Sequence, residues 1–172
     1  MPCSRAEGVG FSIHFIMPIP QAGSLWTSPG SIDGEARSRH IIPKNLADYE
    51  IFDQIVYSPC DGQVVAARDD LPDNPPPLVD IGNPEGNHVI LRCSAAWVLL
   101  AHMKQGSLIP RRHDHVATGQ PLGRVGNSGN SSEPHLHIQA VHVNGPEDRL
   151  TGRALPVLFD GVFPVTNRII RQ

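Results

Sequence analysis

The 172-residue sequence has no run approaching the ~20 apolar residues that a membrane-spanning helix needs, which points to a soluble, globular chain. It has no basic excess either. Fourteen Lys and Arg stand against 17 Asp and Glu, for a formal net charge of -3 and a pI near 6.3. Nothing here supplies the clustered basic face that a nucleic-acid partner calls for. With 18% charged and 40% hydrophobic residues, charge-driven disorder is excluded as well. Cysteine is scarce. Cys3, Cys60 and Cys93 form no Cys-x-x-Cys pair, and an odd count rules out a complete disulfide framework, so they are expected to be buried or incidental thiols. No internal repeat is evident, and no long stretch has the 3.6-residue periodicity of an amphipathic helix. The N-terminus, with a thin basic region and no clear small-residue cleavage site, makes a poor signal peptide.

What the sequence does have is turn residues and histidine. Sixteen glycines and 17 prolines, 33 of 172 residues or about 19%, suggest many turns between short strands. Nine histidines are numerous beside 14 Lys and Arg, and imidazole is both the commonest metal ligand and the near-neutral acid or base.

The pattern divides the chain into an irregular lead-in over 1–45, a core over 46–145 and a C-terminal extension over 146–172 that packs on the core. Ile55–Ser58 and Gln63–Ala67 read as strands around the turn Pro59-Cys60-Asp61-Gly62. Asp69–Asn87, with five prolines and two glycines, reads as a long surface loop of the length that forms functional rims. His88–Cys93 and Ala96–His102 read as a hairpin, and Gln120–Val125 and Leu136–Val141 as two further strands around the Gly/Ser/Asn-rich loop Gly126–Pro134. The expected class is mainly β.

The sharpest chemical feature is Pro134-His135-Leu136-His137. On a strand, residues two apart share a face, so His135 and His137 are expected side by side, a geometry that suits one metal ligand beside one acid or base. The preceding Gly126–Ser132 segment reads as a flexible, hydrogen-bonding site wall, and His102 closes a separate apolar strand, where catalytic groups often sit. Arg111-Arg112-His113-Asp114-His115 is a second His-x-His, but in a charged segment that reads as a solvated turn. His88 is expected to support the sheet, and Asp73 and Asn74 to lie on a rim loop.

Six blocks in order, Val56–Val65, Gly86–Leu91, Leu100–Met103, Gly106–Ile109, Gly119–Gly123 and Gly126–Asn130 leading into Pro134–His137, resemble the lysostaphin/LytM-type zinc metallopeptidases. The resemblance spans roughly residues 46 to 143. It implies an antiparallel β-sheet core of the LytM, or duplicated-hybrid-motif, type that lines a groove with Zn²⁺ on its floor, and a peptidoglycan peptide as substrate. It also implies a periplasmic or extracellular location. Carried over by position, His137 would be a zinc ligand, and His102 and His135 the catalytic pair that moves protons and supports the oxyanion.

One part of the pattern is missing. The family's His-x-x-x-Asp, which supplies two zinc ligands, occurs nowhere between Met1 and Val56. Asp33 is the candidate for its aspartate, with an Asp-Gly turn as the alternative, and Pro29 stands where the histidine would be. His14 and His40 have no spacing that makes them replacements. Two functions therefore remain open: a zinc endopeptidase of peptidoglycan cross-links or its degenerate descendant, and a non-catalytic LytM-like module that binds cell-wall peptides or activates a partner hydrolase. A sugar phosphocarrier with paired histidines would not explain the Gly-Asn-Ser-Gly-Asn loop before them.

Overall fold

The computed structural model describes residues 11–13, 43–94, 96–142, 150 and 152–159. Its centre is an antiparallel five-stranded sheet in the order β6-β3-β4-β5-β8, built from His115–Val116, Gly62–Arg68, Asn87–Arg92, Ala96–Met103 and His137–His142. Strands β2 (Ile55–Tyr57) and β7 (Pro121–Arg124) form a separate antiparallel pair. Strands β1 (Phe11–Ile13) and β9 (Val157–Phe159) form a parallel one, so the lead-in expected to be irregular contains a strand. Among the described residues the only helix is a 3-10 turn at Leu46–Asp48, and no helix is long and apolar enough to cross a membrane.

Strand β5, Ala-Trp-Val-Leu-Leu-Ala-His-Met, is buried at all eight positions. Its continuous apolar run is the pattern of a strand covered on both faces. One face, with Ala96, Val98 and Leu100, joins Val64, Val89, Leu91, Ala140, Val56 and Leu122 in the main core. The other, with Trp97, Leu99 and Ala101, joins Ile90 and Val141 in a second apolar layer. The sheet is thus the middle of the molecule, and one of its faces also carries the histidines.

Two expectations need correction. Ile55–Tyr57 and Gly62–Arg68 are both strands, but they do not pair with each other. The amide of Ser58 donates to Gln120 and that of Gly119 to Ser58, which draws the first strand to β7, while β3 takes β4 and β6 as neighbours. The tight turn between them therefore joins two sheets. Nor are the cysteines incidental: Cys60, in that turn, is disulfide-bonded to Cys93, which closes β4 before the turn into β5, with Cα atoms 6.1 Å apart. The partners are 33 residues apart and meet only because the chain changes sheets at Pro59–Asp61, a route with no local signature in the sequence.

Closing a loop of that length stabilises the fold by about 3–4 kcal/mol through the unfolded chain. The paired Cys60→Ala and Cys93→Ala substitutions are expected to lower the urea midpoint and to raise the m-value, because the uncross-linked unfolded chain is less compact. Protein unfolded without reductant should take one alkyl group, on Cys3, and three after reduction, as read by intact mass.

Candidate active site

The site is assembled by an extra residue in β5. Asn87 pairs with Met103 and His88 with Ala101, so His102 has no partner on β4. It is a β-bulge, with φ of 60°. Strict alternation would send His102 into the main core beside Leu100. The bulge shifts the alternation by one, so that Met103 returns to the core and His102 turns to the face that His137 shares. A side chain at positive φ costs about 1–2 kcal/mol, although histidine is among the residues that tolerate it best. Here the conformation is held from outside: the His102 amide donates to Glu85 O at 3.0 Å, and its carbonyl accepts from the Gly126 amide at 3.0 Å.

Three imidazoles converge. The His102 and His135 ring centroids are 4.7 Å apart, and those of His102 and His137 are 5.8 Å apart and nearly edge-to-face. His137 is the first residue of β8, opposite Ala101, and is exposed. His135 lies before the strand begins, so strand alternation does not place it as the sequence suggested. Its Nδ1 is instead held by Glu133 O at 2.9 Å and Ser131 Oγ at 3.1 Å.

His102 Nδ1 lies 2.9 Å from Ser128 O. A carbonyl oxygen only accepts, so Nδ1 carries the proton and Nε2 is the unprotonated nitrogen. Nδ1 of His135 likewise carries a proton toward Glu133 O, 2.9 Å away. Burial of His102, which is 6% exposed, pushes its imidazole down to about 4; the Ser128 carbonyl opposes this shift, and His135 and His137 reinforce it. At neutral pH His102 is therefore a neutral ring with a free lone pair, which is the state of a general base.

The loop before the histidines is not the flexible wall the sequence suggested. Gly126, Asn127, Ser128, Gly129 and Ser131 are buried. Ser128 Oγ donates to Met103 O and accepts from the Asn87 amide. Asp73 Oδ1 accepts the Asn127 amide at 2.6 Å, and Asn74 Nδ2 donates to Gly129 O at 2.7 Å. The Pro-rich loop is thus the brace of the site loop, a role the residue types alone did not reveal. Gly86 and Gly129 meet here at positive φ, where a Cβ on either would collide with the other's surroundings.

Asp33, His14 and His40 lie outside the described residues. His113 and His115 are exposed, and the second of them opens β6, a strand the charged segment concealed. His88 is half-buried, with Nδ1 2.9 Å from Gly86 O. Among the described residues no group of three His, Cys, Asp or Glu side chains could hold a metal ion.

The described residues thus form a mainly antiparallel β fold that gathers three imidazoles in one place. The chain matches the model of Peptidase family M23 over residues 47–149, more than half its length, and belongs to that family. Among solved structures it is similar to a zinc-containing peptidase from Vibrio cholerae, at 21% identity over 63% of this chain and 26% of that one, with a TM-score of 0.45. It is also similar to the catalytic domain of the antimicrobial peptidase lysostaphin from Staphylococcus simulans, at 20% identity over 78% of each chain and a TM-score of 0.42. A third is a single-substitution mutant of the catalytic domain of the prophage-encoded M23 protein EnpA from Enterococcus faecalis, at 18% identity over 84% of this chain and 93% of that one, TM-score 0.45. The chain spans about a quarter of the Vibrio cholerae protein and a third of full-length lysostaphin. No curated protein sequence matches it.

The depressed pKa of His102 has a consequence for stability. The unfolded imidazole takes up its proton near pH 6.5, the folded one only near 4. Stability from this group is complete above pH 6.5, falls as pH drops from there to 4, and does not fall further below. The loss is on the order of 3 kcal/mol. Urea unfolding with chelator present is expected to show it, and His102→Gln should flatten the dependence between pH 6.5 and 4.

Proposed function

We propose that the chain is a zinc-dependent endopeptidase that hydrolyses peptide bonds in peptidoglycan cross-links. The observation that carries this reading is the convergence of His102 and His135 beside His137, with Nδ1 of both members of the pair held by a carbonyl oxygen. In this reading Nε2 of His102 takes a proton as the oxygen of water bonds to the scissile carbonyl carbon. The tetrahedral oxyanion then collapses, the carbon–nitrogen bond breaks, and the proton passes to the leaving amine. His135 stands within reach to share the proton.

Zinc is the cofactor the family implies, and catalytic zinc sites normally use three protein ligands and a water. His137 would be one. The described residues do not by themselves make a complete set, so the remaining donors fall to residues outside them, with Asp33 the candidate. The missing His-x-x-x-Asp motivates a second reading, a non-catalytic module that binds cell-wall peptides or activates a partner hydrolase. Under either reading a periplasmic or extracellular setting is supported by the Cys60–Cys93 disulfide, because such bonds persist in oxidising compartments.

Purified full chain incubated with cell-wall sacculi separates the two. The endopeptidase is expected to contain one zinc per chain and to release new amino termini. His137→Ala should abolish both, and His102→Ala should lower kcat by about 10²-fold or more while leaving zinc in place. Asp33→Ala should lose zinc if that carboxylate is a ligand. A metal-free protein that releases nothing, yet binds sacculi equally with and without chelator, would establish the module instead.

A further inference from the structure

Two side chains of the site loop remain unexplained by the proton chemistry. Asn127 is 0% exposed and Ser131 is 1% exposed. Buried polar groups are costly unless they are paired, so the direction of each bond is informative. Asn127 Nδ2 donates to Asn74 O at 2.7 Å, which turns its Oδ1 toward Ser131 Oγ, also at 2.7 Å. Among the described residues no other donor reaches that Oδ1. A hydroxyl has one proton, and that of Ser131 has two acceptors in reach, Asn127 Oδ1 at 2.7 Å and Glu133 O at 2.8 Å; neither can return a proton, and Asn127 is the shorter. Ser131 Oγ is therefore left to accept, and His135 Nδ1 lies 3.1 Å from it. Glu133 O, 2.9 Å from the same nitrogen, can only accept as well. An unprotonated Nδ1 would face two lone-pair donors and no proton.

Resting on the reading of His135 as one of the catalytic pair, we propose that Ser131, oriented by Asn127, is the positioning residue of His135. One acceptor would fix the tautomer but let the ring rock about that single contact. A second, from Ser131, fixes the ring plane, so that Nε2 keeps both its lone pair and its direction. The orientation originates further out. Asn127 is held at its amide by the Asp73 carboxylate and at its side chain by Asn74 O, so the Pro-rich loop reaches the imidazole through two buried side chains.

The test uses full-length protein with ¹⁵N-labelled histidine at pH 7.5. Wild type is expected to show a persistent Nδ1–H correlation for His135 in the imidazole spectrum. Ser131→Ala should broaden or remove it and leave that of His102 intact, and Ser131→Thr, which keeps the oxygen, should restore it. In cleavage assays Ser131→Ala should lower kcat by about tenfold with KM unchanged, with recovery in Ser131→Thr. A His135 spectrum identical in Ser131→Ala and wild type overturns the proposal, as does an unchanged kcat in an active enzyme. Should Ser131→Ala not fold, the wild-type spectrum decides: a His135 ring with its proton on Nε2 overturns the assignment. A wild type that cleaves nothing refutes the peptidase reading, while the imidazole spectrum still judges the role of Ser131.

Discussion

Strand β5 has to satisfy two apolar layers at once, and it can do so only by keeping strict alternation from Ala96 to Ala101. A histidine at the next position would then point into the main core, where an imidazole has no partner and no task. The extra residue relative to β4 resolves the conflict. It lets Met103 fill the core position and sends the His102 ring to the opposite face, at the cost of a positive φ that the Glu85 and Gly126 backbone groups hold in place. The convergence on His135 and His137 depends on that local departure from the pleat.

The same departure explains how the site loop is tied to the strand end. A bulged residue has lost its ladder partners, so its backbone groups need others. They come from the two loops that flank the strand end, and these loops are in turn tied to each other through Asp73, Asn74, Asn87, Asn127 and Ser128. The close approach of Gly86 and Gly129 is what lets the loops come near enough to bond. Catalytic groups are most effective on a pre-ordered frame, and here the order comes from buried amides and hydroxyls rather than from helices or ion pairs.

Much of the sheet is legible in the sequence because apolar runs bounded by turns are a direct consequence of burial: β4 and β5 fall where Val, Ile and Leu cluster. What escapes is whatever depends on partners distant along the chain. Ile55–Tyr57 and Gly62–Arg68 look like a hairpin, yet they belong to different sheets. Cys60 and Cys93 give no spacing signal, because their meeting depends on that same change of sheet. The residues of the histidine cluster stand out by type, whereas the bulge that aims His102 leaves no mark in composition or periodicity. The loop at 126–131 reads as flexible from its Gly, Ser and Asn content, although those residues are the ones that can bond in every direction once buried.

The surroundings of His102 and His135 differ. Both have Nδ1 committed to a carbonyl. Yet His102 is enclosed by the sheet and the Ser128 loop and is held neutral by burial, while His135 is less buried and sits at the end of a polar chain. A buried neutral ring gains a proton only at a cost, and it is the bulge that puts His102 in that enclosure. His135 instead owes its setting to the buried pair Asn127 and Ser131, so two rings 4.7 Å apart between centroids are held by two independent parts of the fold.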